Sequence, residues 1–283
     1  MKKIVHRVGQ LANSIWAVGY SIVDAVKTGD DLYILFFDEY IDCFDNIRGK
    51  YKNIHFIAPF AHHRSKRLFF WYNRLMNIFI RTLRFSGMYD KRIGAFCIVD
   101  GWGKRNLISP SDITILKDFF VFKKNVLECV DAFYSNIKKN NDIIVGIHIR
   151  KGDYKNWKGG IFYHTDIEYA QKIIEINALF STKKVFYVIC SNEEVDLSSL
   201  NNSNISFSCL PFSDKMHDLY ALIKADYIFA TPSTFSRYAS FIGGVPLALF
   251  ETNNRITLDD FKLSKALLSL IHISEPTRLQ LIS

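Results

Sequence analysis

The sequence lacks the features that define several large protein classes. Its five cysteines, Cys43, Cys97, Cys129, Cys190 and Cys209, are odd in number and far apart. No Cys-x-x-Cys or His-Glu-x-x-His spacing occurs, and the adjacent His62 and His63 do not share one helix face. These gaps argue against a disulfide framework and against a structural zinc. Most of the cysteines have apolar neighbours, so they are expected to be buried thiols in a reducing, cytoplasmic compartment. Gly 14 and Pro 6 are too few for a linker-rich or collagen-like chain. No run approaches the roughly eighteen apolar residues of a membrane span. A basic start followed by the apolar stretch 11–23 imitates a signal peptide, but His6, Arg7, Gln10 and Asn13 interrupt the pattern and no small-x-small site closes it.

What remains is a 283-residue chain that is 49% hydrophobic, 15% aromatic and 23% charged, which excludes disorder and a charged fibre. Its length suits one large domain or two small ones. Lys+Arg 36 against Asp+Glu 28 leaves a surplus of +8. That surplus is local. Residues 48–92 hold eleven Lys/Arg and one acid, Asp90, a balance of +10, so the rest of the chain is nearly neutral. Within this stretch residues 66–85 read as a helix, with Arg67, Arg74 and Arg81 seven apart and Leu68, Tyr72, Leu75, Phe79 and Leu83 on another face.

Strand and helix patterns alternate along the chain. Strand 3–5, Gly9, helix 11–26, the turn Gly29-Asp30-Asp31 and strand 32–37 open it. A helix over 111–138 ends in a polar run centred on Asn140, the best boundary in the sequence. Strand 143–150 follows, then a helix capped by Thr165 with Glu168 three residues on. That helix continues through Ile167, Ala170, Ile173, Ile174 and Ala178. Strand 184–190, a short strand near Ile205, helix 214–224, strand 226–230, a helix opening at Ser233 and strand 246–250 complete the series. This alternation predicts an α/β fold of two Rossmann-like domains with parallel sheets facing a cleft. Residues 1–140 would form one domain and 141–267 the other. Residues 268–283 break from the preceding composition and read as a non-native tail.

Three segments could carry chemistry. In the first, Val145 to Tyr154, alternation along a strand puts His148 and Arg150 on one face and Ile147 and Ile149 on the other. Both polar groups then emerge at the carboxyl end of a parallel strand, where open α/β sheets bind ligands. Gly152 turns the chain so that Asp153 returns to the same mouth, although an Arg/Asp pair at a strand end is also a common surface feature. The second segment carries Ser233, Thr234, Phe235 and Ser236 into a helix start rich in unsatisfied N–H groups, a site suited to a phosphate; Ser233 or Thr234 is equally a good ordinary N-cap. The third, Gly9-Gln10-Leu11-Ala12-Asn13, joins the first strand to the first helix. It is weak as a nucleotide motif and serves equally as a turn and helix start.

Taken together, the three segments resemble the alpha-1,2-fucosyltransferase family and its wider superfamily of GDP-fucose-using enzymes. Gly9, Leu11 and Asn13 match the family's Gly-x-Leu-x-Asn, and His148, Arg150, Lys151 and Asp153 match His-x-Arg-Arg-x-Asp. Ser233 to Ser236 match its late Ser-Thr/Ser-Phe-Ser segment. Departures are Lys151 for Arg, Ala12 for Gly, and Arg237-Tyr238 where Trp is common. The resemblance implies a GT-B-type fold with an acceptor-side domain and a nucleotide-sugar domain. It also implies inverting, metal-independent transfer of fucose from GDP-fucose to a glycan hydroxyl, with an alpha-1,2 linkage. Arg150 would pair with the β-phosphate, His148 would orient it or touch the nucleotide, and Ser233, Thr234, Phe235 and Ser236 would bind the diphosphate. Asn13 would reach the reacting centre, and Asp153 is the candidate base. No Asp-x-Asp occurs, which fits a donor bound without a metal cofactor.

Two other readings stay open. The enzyme could use another GDP-sugar or be a non-catalytic homologue. Alternatively, Arg64, Lys66, Arg67, Arg74, Arg81 and Arg84, interleaved with Phe69, Phe70 and Trp71, could bind a polyanion. No nucleic-acid motif accompanies them, so a nucleic-acid partner is not expected. The basic stretch is expected instead to hold the protein peripherally at the anionic inner face of the plasma membrane, near a lipid-linked glycan acceptor.

Overall fold

The computed structural model describes residues 1–58, 66–201, 203–251 and 254–264. His62 and His63, Arg64, and the proposed tail 268–283 lie outside the described residues. Within the first half, strand β1 (Lys2–His6) leads to helix α1 (Leu11–Thr28), strand β2 (Asp31–Leu35), the short helix α2 (Asp38–Ile41) and strand β3 (Ile54–Ile57). Helix α3 (Lys66–Ser86), strands β4 (Arg92–Ile93) and β5 (Phe96–Ile98) and the short helix α4 (Gly101–Lys104) follow. The sheet order is β3-β2-β1-β5-β4, with only β4 antiparallel.

Helices α5 (Ile113–Phe119) and α6 (Lys124–Ile137) lead to strand β6 (Ile143–Ile149), helix α7 (Asp166–Leu179), and strands β7 (Val185–Ser191) and β8 (Ser206–Cys209). The chain continues through helix α8 (Lys215–Lys224), strand β9 (Tyr227–Ala230), helix α9 (Thr234–Gly243), and strands β10 (Pro246–Leu249) and β11 (Lys262–Leu263). This second sheet has the order β11-β10-β9-β6-β7-β8 and is parallel except for β11. The α/β class and the two parallel-rich sheets are therefore as the sequence pattern implied.

Helix α1 is buried along most of its length, from Leu11 to Ala25. One apolar cluster joins it to residues of α5, α6, α8 and α9, so the two halves share a core rather than meeting at a wet interface. Trp16, almost fully buried, packs on Phe241 at 5.2 Å and edge-on to Tyr238 at 5.5 Å. At Gly101 any side chain would collide with this helix, since a Cβ there would lie 1.8 Å from the Ala17 carbonyl oxygen. Helix α6 lies before residue 140 in sequence yet packs on the second half, where the Tyr134 hydroxyl donates to the Ala221 carbonyl at 2.6 Å.

Several expectations are corrected. The single helix over 111–138 is two helices, because Phe119 and Phe120 are both buried and Phe122 pairs with Phe44 in an isolated β-bridge. Strand β2 stops at Leu35, since Phe36 turns into the left-handed region at φ 64. Among the described side chains of α3, Met76 and Leu83 are buried, whereas Leu68, Leu75 and Phe79 face outwards. The Thr165 cap and its Glu168 partner form as expected, but α7 buries Tyr169, Ala170, Ile173 and Ile176, leaving Ile167 and Ile174 exposed. Of the cysteines only Cys190 is buried; Cys209 is exposed and the other three are half-buried.

Candidate active site

Strand β6 divides its side chains as its alternation requires. Val145, Ile147 and Ile149 enter the core beneath α7, while Ile144 packs on the opposite side with α8. His148 and Arg150 share that opposite side. His148 is buried, stacks on Phe235 with centroids 5.0 Å apart, and among the described residues has no hydrogen-bond partner at its buried Nδ1. Burial first, and the nearby Arg150 charge second, push its pKa down to about 3. The imidazole is thus neutral at neutral pH, so only one of the two groups expected at this strand end is a cation.

Arg150 is held from two directions. Its Nε lies 3.1 Å from Asp153 Oδ1, and its Nη2 donates to Gln10 Oε1 at 2.9 Å, across 140 positions of sequence. Its guanidinium also sits 5.8 Å from the centre of the Tyr154 ring, and the Tyr154 hydroxyl donates to the Pro232 carbonyl at 2.9 Å. Gly152, at φ 57, provides the left-handed turn that returns Asp153 to Arg150. Lys151 points away. It is buried, pairs with Asp166, and donates to the Glu194 carbonyl at 3.1 Å.

The start of α9 completes the wall. The Ser233 hydroxyl accepts from the Phe235 N–H at 3.0 Å and caps the helix, while the buried Ser236 hydroxyl donates to the Ser233 carbonyl at 3.2 Å. The Thr234 carbonyl accepts from Trp16 Nε1 at 3.4 Å. The loop Gly9-Gln10, the end of β6 and the start of α9 are thus brought together. Asn13 is buried on the first turn of α1, one turn beyond Gln10. Among the described residues no group of three His, Cys, Asp or Glu side chains is placed to hold a metal ion.

Sequence reasoning missed Gln10, which occupies the N-cap of α1 without a side-chain cap bond; its side-chain amide oxygen Oε1 accepts from Arg150 instead. A glutamine at a position that prefers Ser, Thr, Asp or Asn was the available signal. It also missed Arg7, buried at the end of β1. Arg7 donates to the Gly9 carbonyl at 3.0 Å and to Asn73 Oδ1 at 3.1 Å, and lies 3.4 Å from Glu39.

Asp218, in the first turn of α8, is a third omission. Burial, aided by the Asp214 charge, lifts its carboxyl to about 7, against the opposing effects of the Ser213 hydroxyl bond and His217. The neutral acid is the form that the folded chain favours. Its stabilising contribution is complete below about pH 4 and is lost as pH rises through 7. Asp218→Asn should therefore raise the melting temperature relative to the parent above pH 7 and lose that advantage near pH 4. Parallel melting curves from pH 4 to 8 check this, and a pH-independent difference would contradict it.

No family model matches the sequence, and no curated protein matches it. Solved structures do. Fucosyltransferase NodZ from Bradyrhizobium is 18% identical, with TM-score 0.58 over 90% of this chain and 97% of that one. The fold is the one these transferases share. POFUT1 in complex with GDP-fucose is 12% identical, with TM-score 0.54 over 89% of this chain and 98% of that one. A FUT1 variant from Arabidopsis thaliana, in complex with GDP, is 12% identical, with TM-score 0.55 over 92% of this chain and 72% of that one.

Proposed function

We propose that the protein transfers fucose from GDP-fucose to a hydroxyl of a glycan acceptor. The observation that carries this reading is the placement of Arg150 at the carboxyl end of β6, fixed by Gln10 and Asp153, on the same strand end whose His148 stacks on Phe235 in the first turn of α9. The diphosphate would lie between the Arg150 guanidinium and the N–H groups that open α9. The bond from the sugar anomeric carbon to the β-phosphate oxygen breaks, the acceptor oxygen bonds to that carbon with inversion, and its proton passes to a base. Charge accumulates on the leaving diphosphate, where Arg150 and the helix N–H groups stabilise it without a metal. His148, neutral and with Nδ1 unpartnered, contributes a hydrogen bond to the nucleotide rather than a charge.

In this reading residues 141–267 form the donor side and residues 1–140, with Asn13 and the Gly9 loop, the acceptor side. Asp153 already engages Arg150, so it acts as base only by releasing that partner. An alpha-1,2 linkage is supported by the three matched segments of sequence. The NodZ structure is that of an alpha-1,6-fucosyltransferase, so fold alone does not select the linkage. The reading is tested by thermal shift with GDP, GDP-fucose, GDP-mannose and UDP-glucose. Ligand at about 100 times its dissociation constant should add roughly 2.7 kcal/mol. Stabilisation by GDP and by GDP-sugars but not by UDP-glucose is the expected result. Turnover of GDP-mannose in preference to GDP-fucose would reassign the donor, and no stabilisation by any guanosine ligand would contradict the proposal.

A further inference from the structure

Helix α3 is apolar on two sides. Its inner side buries Met76 and Leu83, sets the Tyr72 hydroxyl 2.6 Å from Asp38 Oδ2, and accepts Arg7 at Asn73. Its outer side carries Leu68, Trp71, Leu75, Ile78 and Phe85, exposed by 50%, 58%, 65%, 54% and 98%. With Thr82 these positions follow an alternating spacing of three and four residues, so they form one stripe along the helix. Arg74, Arg81 and Arg84 are also exposed, and the Arg74 guanidinium lies 5.8 Å from the centre of the Trp71 ring. Residues 66–86 contain no acid at all. An apolar stripe of this extent on a protein surface marks an interaction site.

We propose that α3 docks this face in the plane of an anionic lipid bilayer. Charge decides the occupant. A second copy of the chain would bring arginine against arginine with no carboxylate on either helix to pair with them. An anionic leaflet instead presents negative headgroups above an apolar layer, which matches arginines flanking Trp71, Leu75 and Ile78. The helix lies along the surface rather than across it: among the described residues no helix is long and apolar enough to span a membrane. At about 1.5 Å per residue, its 21 residues cover roughly 30 Å of headgroup surface. Since Asn73 binds Arg7, which in turn binds the Gly9 carbonyl, docking would hold the acceptor side of the cleft near the bilayer and favour a lipid-linked acceptor. That last step rests on the transferase reading; the docking does not.

The experiment is flotation of the full chain with vesicles of phosphatidylcholine alone or with 30% phosphatidylserine, a composition of about three to seven, at physiological salt. Recovery with the anionic vesicles only is expected. Arg74→Glu/Arg81→Glu, and separately Trp71→Ala/Leu75→Ala, should each lower recovery by about tenfold or more with melting temperature unchanged. Equal recovery with both vesicle types, or none with either, overturns the proposal. So does a concentration-dependent dimer abolished by the same substitutions, which would give the face to a second copy. Flotation by a chain ended at Ser264 but not by the full chain would assign the face to residues 265–283 and overturn docking of the intact protein. Because GDP-fucose turnover on a soluble acceptor is read separately, failure of docking and failure of the transferase reading are distinguishable.

Discussion

Arg150→Ala should lower fucosyl transfer by about 10²–10³-fold while the fold survives. The guanidinium bridges Asp153 and Gln10; in the proposed reaction charge would develop on the leaving diphosphate beside it, so its contribution would grow as the glycosidic bond breaks. Arg150→Lys keeps the charge but loses the planar fork, so it should recover little. Lys151→Ala provides the contrast. Its side chain is buried toward Asp166, so turnover by the folded fraction should change far less, while stability falls by about 1–3 kcal/mol. If Arg150 were only part of a surface pair, Arg150→Ala would cost no more than about 1 kcal/mol of stability and leave transfer near normal. Initial rates and melting temperatures of the three variants separate these outcomes.

The second large effect concerns how the halves are joined. Trp16→Ala removes an almost fully buried indole that packs on Phe241 and Tyr238 and donates to the Thr234 carbonyl. A truncation of this kind costs about 3–5 kcal/mol. Because α1 and α9 share one core, the parent should unfold in a single transition and the variant should lose stability in both halves together. Denaturant unfolding followed by fluorescence and by circular dichroism checks this. Two separated transitions in the parent chain would show that the halves are energetically independent.

The second half was the more legible in sequence. Strands β6, β7 and β9 are short apolar runs, and α7 and α8 begin at Thr165 and Asp214, whose side chains accept N–H groups of the first turn. The break between α5 and α6 was hidden because Phe119, Phe120, Val121 and Phe122 are apolar at every position, leaving no period to read. Helix α3 misled for the opposite reason. It carries apolar residues on two sides, and periodicity cannot say which side meets the core.

At the site, alternation along β6 was sufficient to pair His148 with Arg150, and the glycine at 152 to return Asp153. It could not show that His148 is neutral, since that follows from its burial against Phe235 and from the neighbouring Arg150 charge. Nor could it find Gln10, whose contact with Arg150 is created by tertiary folding alone. Lys151, beside Arg150 in sequence, turns to the opposite side and binds Asp166, a direct consequence of strand alternation.

Release of GDP by the purified full chain tests the central claim most directly. Incubated with GDP-fucose and a panel of oligosaccharides, the protein should liberate GDP and leave fucose on an acceptor hydroxyl, with a chelator present and with UDP-glucose untouched. No GDP release from GDP-fucose with any acceptor, by a chain that melts as a folded protein, would contradict the account.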